Sequence, residues 1–274
     1  MTLPTIPETH STDAPAQSFT PATVDQFHEN GYTIARQLIG QEMRDRMLRA
    51  ARDGLERNIE PIEYEADMDY PGSPASRWDT GGRTARRLKQ AHARDPVFTE
   101  WIMMPELVGR LKQLLGPSVV MPLVHHNCVM TKQPCYSSDT GWHQDIRYWS
   151  FERPELVSAW LALGNEHAEN GCLQLISGSH RRAFDGRCFD ERLFFRPDPP
   201  ENQKLIDTRI HAELEPGDVL FFHCRTLHSA SRNRTDQPKV SVVATFRPGS
   251  NRPIPGTRSA SLPEMLVTGS TEPD

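Results

Sequence analysis

The first part of the chain combines apolar residues at helical spacing with clear start and stop signals. Thr20 followed by Pro21 predicts a helix start, because a threonine side chain caps free backbone N–H groups and proline fits the first turn. Gly31 predicts the end of that helix, since glycine readily adopts the left-handed conformation found there. The apolar run 32–39 then favours a strand.

Two further helical segments follow, separated by a long polar segment. Residues 40–59 predict an amphipathic helix, and residues 95–116 predict a helical segment broken near Pro105. Residues 63–85 are rich in Gly, Pro, Ser and Asp, which predicts a long loop. Long loops in compact domains are often lids, so we expect this one to cover a site. The apolar face of the helix predicted over residues 40–59 comprises Met43, Met47, Ala50 and Leu55.

Beyond about residue 118 the pattern changes to short apolar or alternating runs separated by Gly and Pro turns. Several short strands of this kind favour an antiparallel sandwich or barrel. The sequence therefore predicts an α+β fold, with helices first and a β core after them. The runs are 118–130, 156–163, 171–179, 212–223 and 240–247.

The 274 residues contain no internal repeat and no linker that divides the chain, so we expect one folded domain. Residues 1–17 are expected to form a disordered tail, and residues 18–248 the domain. Residues 249–274 are rich in Pro, Gly, Ser and Thr. They are expected to form a C-terminal tail that is either loose or folded back over the core.

The composition, 36% hydrophobic and 24% charged, is typical of soluble globular proteins. A formal charge of -5 argues against a general nucleic-acid binder, which is usually basic. No run approaches the roughly 20 apolar residues of a membrane span, and no signal peptide is visible. We expect a cytoplasmic protein with a small-molecule substrate and with neither nucleic acid nor membrane as partner; its oligomeric state stays open.

His143 and Asp145, in the stretch GWHQDIRYWSF, are candidate metal ligands. On a strand, residues two apart share a face, so an imidazole and a carboxylate would lie side by side. The five cysteines form no CxxC pair, which argues against a metal site with cysteine ligands. Two histidines with one carboxylate suit non-haem Fe(II), which binds a co-substrate and O₂ at its open positions. The same set leaves room for a zinc-bound water.

The third ligand is expected to be His228, which follows the apolar run 219–223 where small polar residues begin. His223 lies within that run and is expected to be a packed, hydrogen-bonded histidine. His125 and His126 are adjacent and so point to opposite faces of a strand. One of them could face the site, although a structural role is expected for each.

Three motifs occur together: HQD at 143–145, NGCLQLISGSH at 170–180 and GDVLFFHCRTLHSASRN at 217–233. This combination resembles the phytanoyl-CoA dioxygenase family of Fe(II)/2-oxoglutarate oxygenases, and the resemblance runs from about residue 18 to residue 248. It implies a double-stranded β-helix, or jelly roll, with helices packed outside. It also implies the iron ligands, which are His143, Asp145 and His228.

The resemblance further implies Fe(II) chelated by 2-oxoglutarate, O₂ as second co-substrate, and a cation for the far carboxylate. Lys239 stands eleven residues after His228, where the family usually has an arginine. A lysine neutralises a carboxylate as a point charge but lacks the fork of arginine. Ser241 would share its strand face and donate a hydroxyl, and Arg234 and Arg247 are the alternative cations.

Other positions match the family's co-substrate contacts. Trp160 matches a tryptophan near 2-oxoglutarate, with core packing as the alternative. Asn127 and Thr131 lie on the strand before the HQD motif, where the family often contacts the co-substrate. Arg87 and Lys89 match a region where the family can place a cation, with solvated charge as the alternative.

The aspartate of the HQD motif implies oxygen chemistry, since halogenating relatives replace this carboxylate with a small residue. Three aromatic residues beside it either wall a substrate pocket or pack in the core: Tyr148, Trp149 and Phe151. Arg147 would share the strand face of His143 and Asp145 if the strand continues that far. It would then bind an anionic substrate group or pair with a nearby acid.

The primary hypothesis is a non-haem Fe(II)/2-oxoglutarate-dependent dioxygenase. It would hydroxylate an unactivated C–H bond of a small or medium-sized metabolite and form succinate and CO₂. A zinc-dependent hydrolase and a non-catalytic jelly-roll binding protein are the alternatives. The sequence leaves open the substrate and the choice among hydroxylation, desaturation, epoxidation and ring formation.

Overall fold

The computed structural model describes residues 18–267. The predicted tail 1–17 and the end of the predicted C-terminal tail lie outside the described residues. The α-helices are α1 (Pro21–Asn30), α2 (Gln41–Glu56), α3 (Pro96–Met103), α4 (Pro105–Leu115) and α5 (Pro200–Ile206). None of the described helices is long and apolar enough to span a membrane.

Local signals account for the helix boundaries. The Thr20 side chain accepts from the backbone N–H of Thr23, and Gly31 ends α1 with a φ of 80°. Met104 is extended, with a ψ of 137°, because the following Pro105 excludes the helical conformation. The predicted first helix and the predicted break near Pro105 are therefore confirmed.

The strands form two antiparallel sheets. The larger has the order β1-β10-β7-β12-β5-β3-β2, with β4 pairing β12 and β13; the smaller has the order β6-β11-β8-β9. The strands are β1 (Tyr32–Ala35), β2 (Ile62–Tyr64), β3 (Ala85–Lys89), β4 (Val119–Pro122), β5 (Asn127–Lys132), β6 (Thr140–His143), β7 (Val157–Ala162), β8 (Leu173–Leu175), β9 (Ile210–His211), β10 (Val219–His223), β11 (His228–Ala230), β12 (Lys239–Pro248) and β13 (Glu264–Leu266).

The larger sheet is covered on both faces. Along β7, Ala159 and Leu161 pack into the cluster that includes Phe27 of α1 and Trp101 of α3. The alternate residues, among them Trp160, pack against the smaller sheet in a second cluster. Because both faces are buried, the strands are almost continuously apolar. The α+β prediction is confirmed, and the two facing sheets form the jelly roll that the family resemblance implied.

Two segments carry expectations that the sequence left open. Strand β6 ends at His143, and residues 145–148 form a 3₁₀ turn. The expectation that the strand carries Arg147 on the same face is therefore wrong. The second segment is the described part of the predicted C-terminal tail, which folds back over the core. There Pro253 bridges to Phe151, and β13 pairs with β4.

Candidate metal centre

His143, Asp145 and His228 meet at one end of the smaller sheet. His143 and His228 are directly opposite each other in the pairing of β6 with β11. Asp145 Oδ1 lies 3.7 Å from Nε2 of each histidine. One ligand atom from each residue falls within 4.8 Å of the others, so the fold brings together the three predicted ligands.

The backbone fixes the tautomer of both histidines. His143 Nδ1 donates to the carbonyl of Gly141 at 2.9 Å, and His228 Nδ1 donates to that of Thr226 at 3.0 Å. Each Nε2 therefore presents a lone pair toward Asp145. The buried Oδ2 of Asp145 has no hydrogen-bond partner among the described residues. Two imidazole lone pairs and an unsatisfied carboxylate oxygen fit a divalent cation such as Fe(II).

The protonation states also suit metal binding. Burial and the repulsion of His228 lower the pKa of His143 to about 3. Burial alone would raise the pKa of Asp145, but the surrounding histidines hold it well below its usual range. At neutral pH the metal-free site therefore presents a neutral His143 imidazole and a carboxylate, the forms in which these residues bind metals.

A further histidine contacts the ligand carboxylate. His126 Nε2 lies 3.2 Å from Asp145 Oδ1. Burial opposes its charge, but the carboxylate outweighs burial and raises the pKa of His126 to about 9 in the metal-free protein. His125 points away, with Nε2 2.9 Å from Ser259 Oγ and its ring 4.8 Å from that of Trp149. The alternation of adjacent strand residues gave the only sequence signal for His126.

His223 and Arg147 lie outside the ligand cluster. The His223 ring packs 5.4 Å from that of His180, and burial lowers the pKa of His223 to about 3. This placement agrees with a packed histidine. Arg147 stacks 3.3 Å over the ring of Phe189 and donates to Gln144. It does not share a face with the ligands, because the 3₁₀ turn has replaced the strand.

Two cavities flank the ligand cluster. The smaller, about 50 Å³, lies between the sheets, and both His143 and His228 line it. The larger, about 410 Å³, is lined by His143 and Asp145 and opens at the protein surface. Of the three aromatic candidates, Tyr148 and Trp149 line the larger cavity, whereas Phe151 is buried in an apolar cluster. The ligand cluster therefore faces two separate compartments.

Lys239, Ser241 and Trp160 form a network around a buried glutamate. Glu166 Oε2 lies 2.9 Å from Lys239 Nζ. Its Oε1 accepts from Ser241 Oγ at 2.6 Å and from Trp160 Nε1 at 2.9 Å. Because Glu166 is only 2% exposed, the Lys239 charge already has a buried partner. Sequence reasoning missed Glu166, which lies 73 residues before Lys239.

The remaining co-substrate candidates are spread over the site. Thr131 lines the smaller cavity and donates to the carbonyl of Ala85. Asn127 lines the larger cavity, and its amide contacts His92 Nδ1 at 2.7 Å. Arg87 lines both cavities.

The alternative cations for the far carboxylate lie elsewhere. Arg247 is buried in an ion pair with Glu264 and lines neither cavity. Arg234 is exposed and also lines neither. Lys89 lines the larger cavity but not the smaller one.

Sequence comparison identifies a matching protein family and several relatives of this chain. The sequence model of a family described as phytanoyl-CoA dioxygenase matches residues 27–241. A probable phytanoyl-CoA dioxygenase of Caenorhabditis elegans is 27% identical over 227 residues, covering 80% of this chain and 72% of that protein. The ectoine dioxygenase of Halomonas elongata is 28% identical over 240 residues, covering 79% of this chain and 70% of that protein.

Two solved structures share the fold. EctD from S. alaskensis with 2-oxoglutarate and 5-hydroxyectoine superposes with a TM-score of 0.71 at 21% identity, covering 89% of this chain and 80% of that chain. The α-ketoglutarate-dependent carbocyclase SnoK from nogalamycin biosynthesis superposes with a TM-score of 0.66 at 21% identity, covering 88% and 89%. At this identity the superpositions establish the common architecture.

Proposed function

This chain belongs to the phytanoyl-CoA dioxygenase family of Fe(II)/2-oxoglutarate-dependent oxygenases, and we propose that it hydroxylates an unactivated C–H bond of a small or medium-sized metabolite. The carrying observation is the cluster of His143, Asp145 and His228, with both imidazole lone pairs turned toward one carboxylate between two cavities. These three residues would hold the iron.

Bound iron with 2-oxoglutarate and O₂ supplies the oxidation: one oxygen atom enters the substrate C–H bond, the other enters succinate, and CO₂ leaves. The protein's own contribution is placement. The smaller cavity suits a compact dicarboxylate, and the larger suits the substrate. Tyr148 and Trp149 wall the larger cavity, where a substrate seated against them would displace water from the ligand cluster.

The contacts of loop 63–85 support the hypothesis that this loop is a lid. Met68 and Tyr70 of this loop line the larger cavity together with Trp149. Arg192 donates to the carbonyls of Met68 and Asp69, so the loop is held against the body of the protein. We propose that this loop closes over the substrate and limits the entry of water.

The alternatives have less support. A zinc hydrolase would use the same three ligands, but the family match favours the oxygenase. A non-catalytic binding protein would not need two tautomer-fixed histidines facing an unsatisfied carboxylate. The proposals of a cytoplasmic location and of a small-molecule partner rest on composition.

The first test is anaerobic. Purified protein would be mixed with Fe(II) and 2-oxoglutarate, and the weak visible charge-transfer absorption of the iron–keto-acid chelate recorded. We expect absorption that needs both additions and that His143→Ala and Asp145→Ala abolish. His223→Ala, which changes a half-buried histidine outside the cluster, serves as the matched control. Absence of the absorption in folded, iron-loaded wild-type protein would refute the proposal.

The second test addresses the reaction. With O₂ admitted, candidate metabolites would be screened by the succinate they release, and each product would be identified by mass spectrometry. A product of a saturated substrate that is heavier by one oxygen atom supports hydroxylation, because epoxidation, which adds the same mass, needs an alkene. A product lighter by two hydrogen atoms would instead indicate desaturation or ring formation by the same site.

A further inference from the structure

Four lysine and arginine side chains line the smaller cavity, and three of them have carboxylate partners. Arg86 Nη1 lies 3.2 Å from Glu65 Oε2, and Arg87 Nη1 lies 3.2 Å from Glu63 Oε1. Lys239 pairs with Glu166, as described above. The fourth cation is Lys132. It forms no ion pair with any carboxylate in the described part of the chain, and its Nζ donates only to the carbonyl of Ser138 at 2.9 Å.

Lys132 is also placed to meet a ligand. It ends β5 directly opposite Lys239 of β12, so both side chains project from the same face of the sheet toward the smaller cavity. The residue is 8% exposed. A buried ammonium with one neutral hydrogen bond is costly, because no carboxylate in the described part of the chain forms an ion pair with it to offset its desolvation. An anion entering this cavity would supply the missing partner.

The cavity also joins Lys132 to the metal ligands. Its volume is about 50 Å³, and Lys132, His143 and His228 all line it. A small dicarboxylate bound in it would face the metal ligands with one end and Lys132 with the other. Burial and repulsion from Arg86 and Lys239 lower the pKa of Lys132 to about 7, which agrees with a site still lacking its negative charge.

We propose that Lys132, and not Lys239, binds the distal carboxylate of 2-oxoglutarate in this protein. Lys239 stays paired with Glu166 and, with Ser241 and Trp160, forms the wall of the co-substrate cavity. This inference rests on the proposed function, since it assigns one end of the proposed co-substrate. It replaces the expectation, based on position in the family pattern, that Lys239 has that role.

The test compares two keto acids under anaerobic conditions with Fe(II) present. 2-Oxoglutarate and 2-oxovalerate share the metal-binding end, but only the first has a distal carboxylate. Binding would be followed by calorimetry and by the charge-transfer absorption. In Lys132→Met we expect 2-oxoglutarate affinity to fall by about 10- to 100-fold, the range for a charged hydrogen bond, while 2-oxovalerate affinity stays unchanged. Lys132→Arg should restore most of the preference.

The matched control removes the neighbouring pair as a unit. The double variant Lys239→Met, Glu166→Gln loses both charges but keeps an acceptor for Ser241 and Trp160, and it should retain the preference for 2-oxoglutarate. Thermal unfolding of the ligand-free protein gives an independent readout. Lys132→Met should unfold at the wild-type temperature or higher, whereas Lys239→Met should unfold lower because Glu166 loses its partner.

The outcomes separate the two proposals. If wild-type protein binds 2-oxoglutarate and Lys132→Met keeps the full preference for it, the assignment of Lys132 is overturned and the proposed function stands. If the double variant loses the preference, the distal carboxylate belongs to Lys239. If the iron-loaded wild-type protein binds neither keto acid, the proposed function fails, and this inference fails with it.

Discussion

His143 and His228 are held by the same local device. In each case Nδ1 donates to the carbonyl two residues earlier in the chain, which turns Nε2 toward Asp145. No other side chain is needed to set the tautomer. The carboxylate depends on a side chain from another part of the chain, because His126 of the segment between β4 and β5 contacts its Oδ1. At the scale of single residues, the centre is a backbone-fixed histidine pair with a side-chain-fixed carboxylate.

The contact with His126 leads to a prediction about metal affinity. In His126→Gln the three ligands remain, but the carboxylate loses the imidazole contact that orients it. We expect Fe(II) affinity to fall by about 10- to 100-fold, as is typical when a partner of a metal ligand is removed. Anaerobic metal titration measures this effect. His125→Gln, one residue earlier and facing away, should change affinity little; equal losses in both variants would contradict the role of His126.

The pKa of Lys132 predicts how co-substrate binding depends on pH. The ligand-free pKa is about 7, and the charged groups acting on Lys132 are Arg86, Lys239, Glu65 and Asp139. Binding a carboxylate requires the protonated ammonium, so 2-oxoglutarate affinity should be highest below pH 7 and fall as pH rises to 8.5. Calorimetry at several pH values measures it. Lys132→Arg stays protonated throughout, so its affinity should be flat; an equal slope in that variant would attribute the pH dependence to another group.

Among the elements, α1 is joined to the β core through its C-terminal glycine. A Cβ at Gly31 would lie 2.4 Å from His180 Nδ1 and 2.6 Å from Thr226 Oγ1, at a φ of 80° that disfavours other residues. Gly31→Ala should therefore lower the free energy of unfolding by about 1–3 kcal/mol. Urea unfolding measures the loss. Gly40→Ala, at the start of α2 with open space around the added methyl, should cost less than about 1 kcal/mol.

The proposed lid depends on Arg192 for its attachment. The guanidinium donates to two loop carbonyls, at 2.7 Å and 2.8 Å. Losing these bonds in Arg192→Ala should favour local opening of the loop by about 5- to 30-fold, equivalent to one or two kcal/mol. Trypsin cleavage at Arg77 and Arg83 should accelerate by the same factor. Arg187→Ala, whose side chain is 90% exposed, is the control; unchanged cleavage in Arg192→Ala would argue against this anchor.

Elements differ in how far the sequence predicts them. The boundaries of α1 and the break before α4 follow from Thr20, Gly31 and Pro105, whose effects act within one turn. The early end of β6 could not be predicted in this way. Its 3₁₀ turn is stabilised by the N–H of Ile146 donating to the carbonyl of Cys224, a contact between distant parts of the chain. The ligands were predictable from residue type, whereas the backbone that orients them was not.

At the scale of the whole molecule, the sequence does not show which charged residues form pairs when they are far apart in the chain. Lys239 and Glu166 are 73 residues apart in the chain. They come into contact because β12, which begins at Lys239, pairs with β7, which ends shortly before Glu166. Spacing from His228 suggested the cation but not its partner. The apolar pattern predicts the antiparallel β core, and the family resemblance implies the jelly roll. The charge of each cavity could not be predicted in this way, because it depends on contacts between residues far apart in the sequence.

The C-terminal segment contributes to both stability and the substrate cavity. Ser259 Oγ accepts from the N–H of Ser150 at 2.8 Å, and Arg258 and Leu262 line the larger cavity. Strand β13 extends the larger sheet through β4. Residues 249–267 are therefore part of the folded unit that surrounds the proposed substrate, and changes in this segment are expected to alter substrate selection without touching the metal ligands.

A double-mutant cycle at Arg247 and Glu264 tests this attachment. Arg247 is buried and pairs with Glu264 of β13. Glu264→Met should lower the free energy of unfolding by about 3 kcal/mol, because it leaves a buried charge unpaired, and adding Arg247→Met should recover most of that loss. Urea unfolding of the four proteins gives the coupling energy. The double variant should bind 2-oxoglutarate as the wild type does, because Arg247 lines neither cavity. Additive losses would show that the pair does not hold the segment, and weakened 2-oxoglutarate binding would return Arg247 to the candidates for the distal carboxylate.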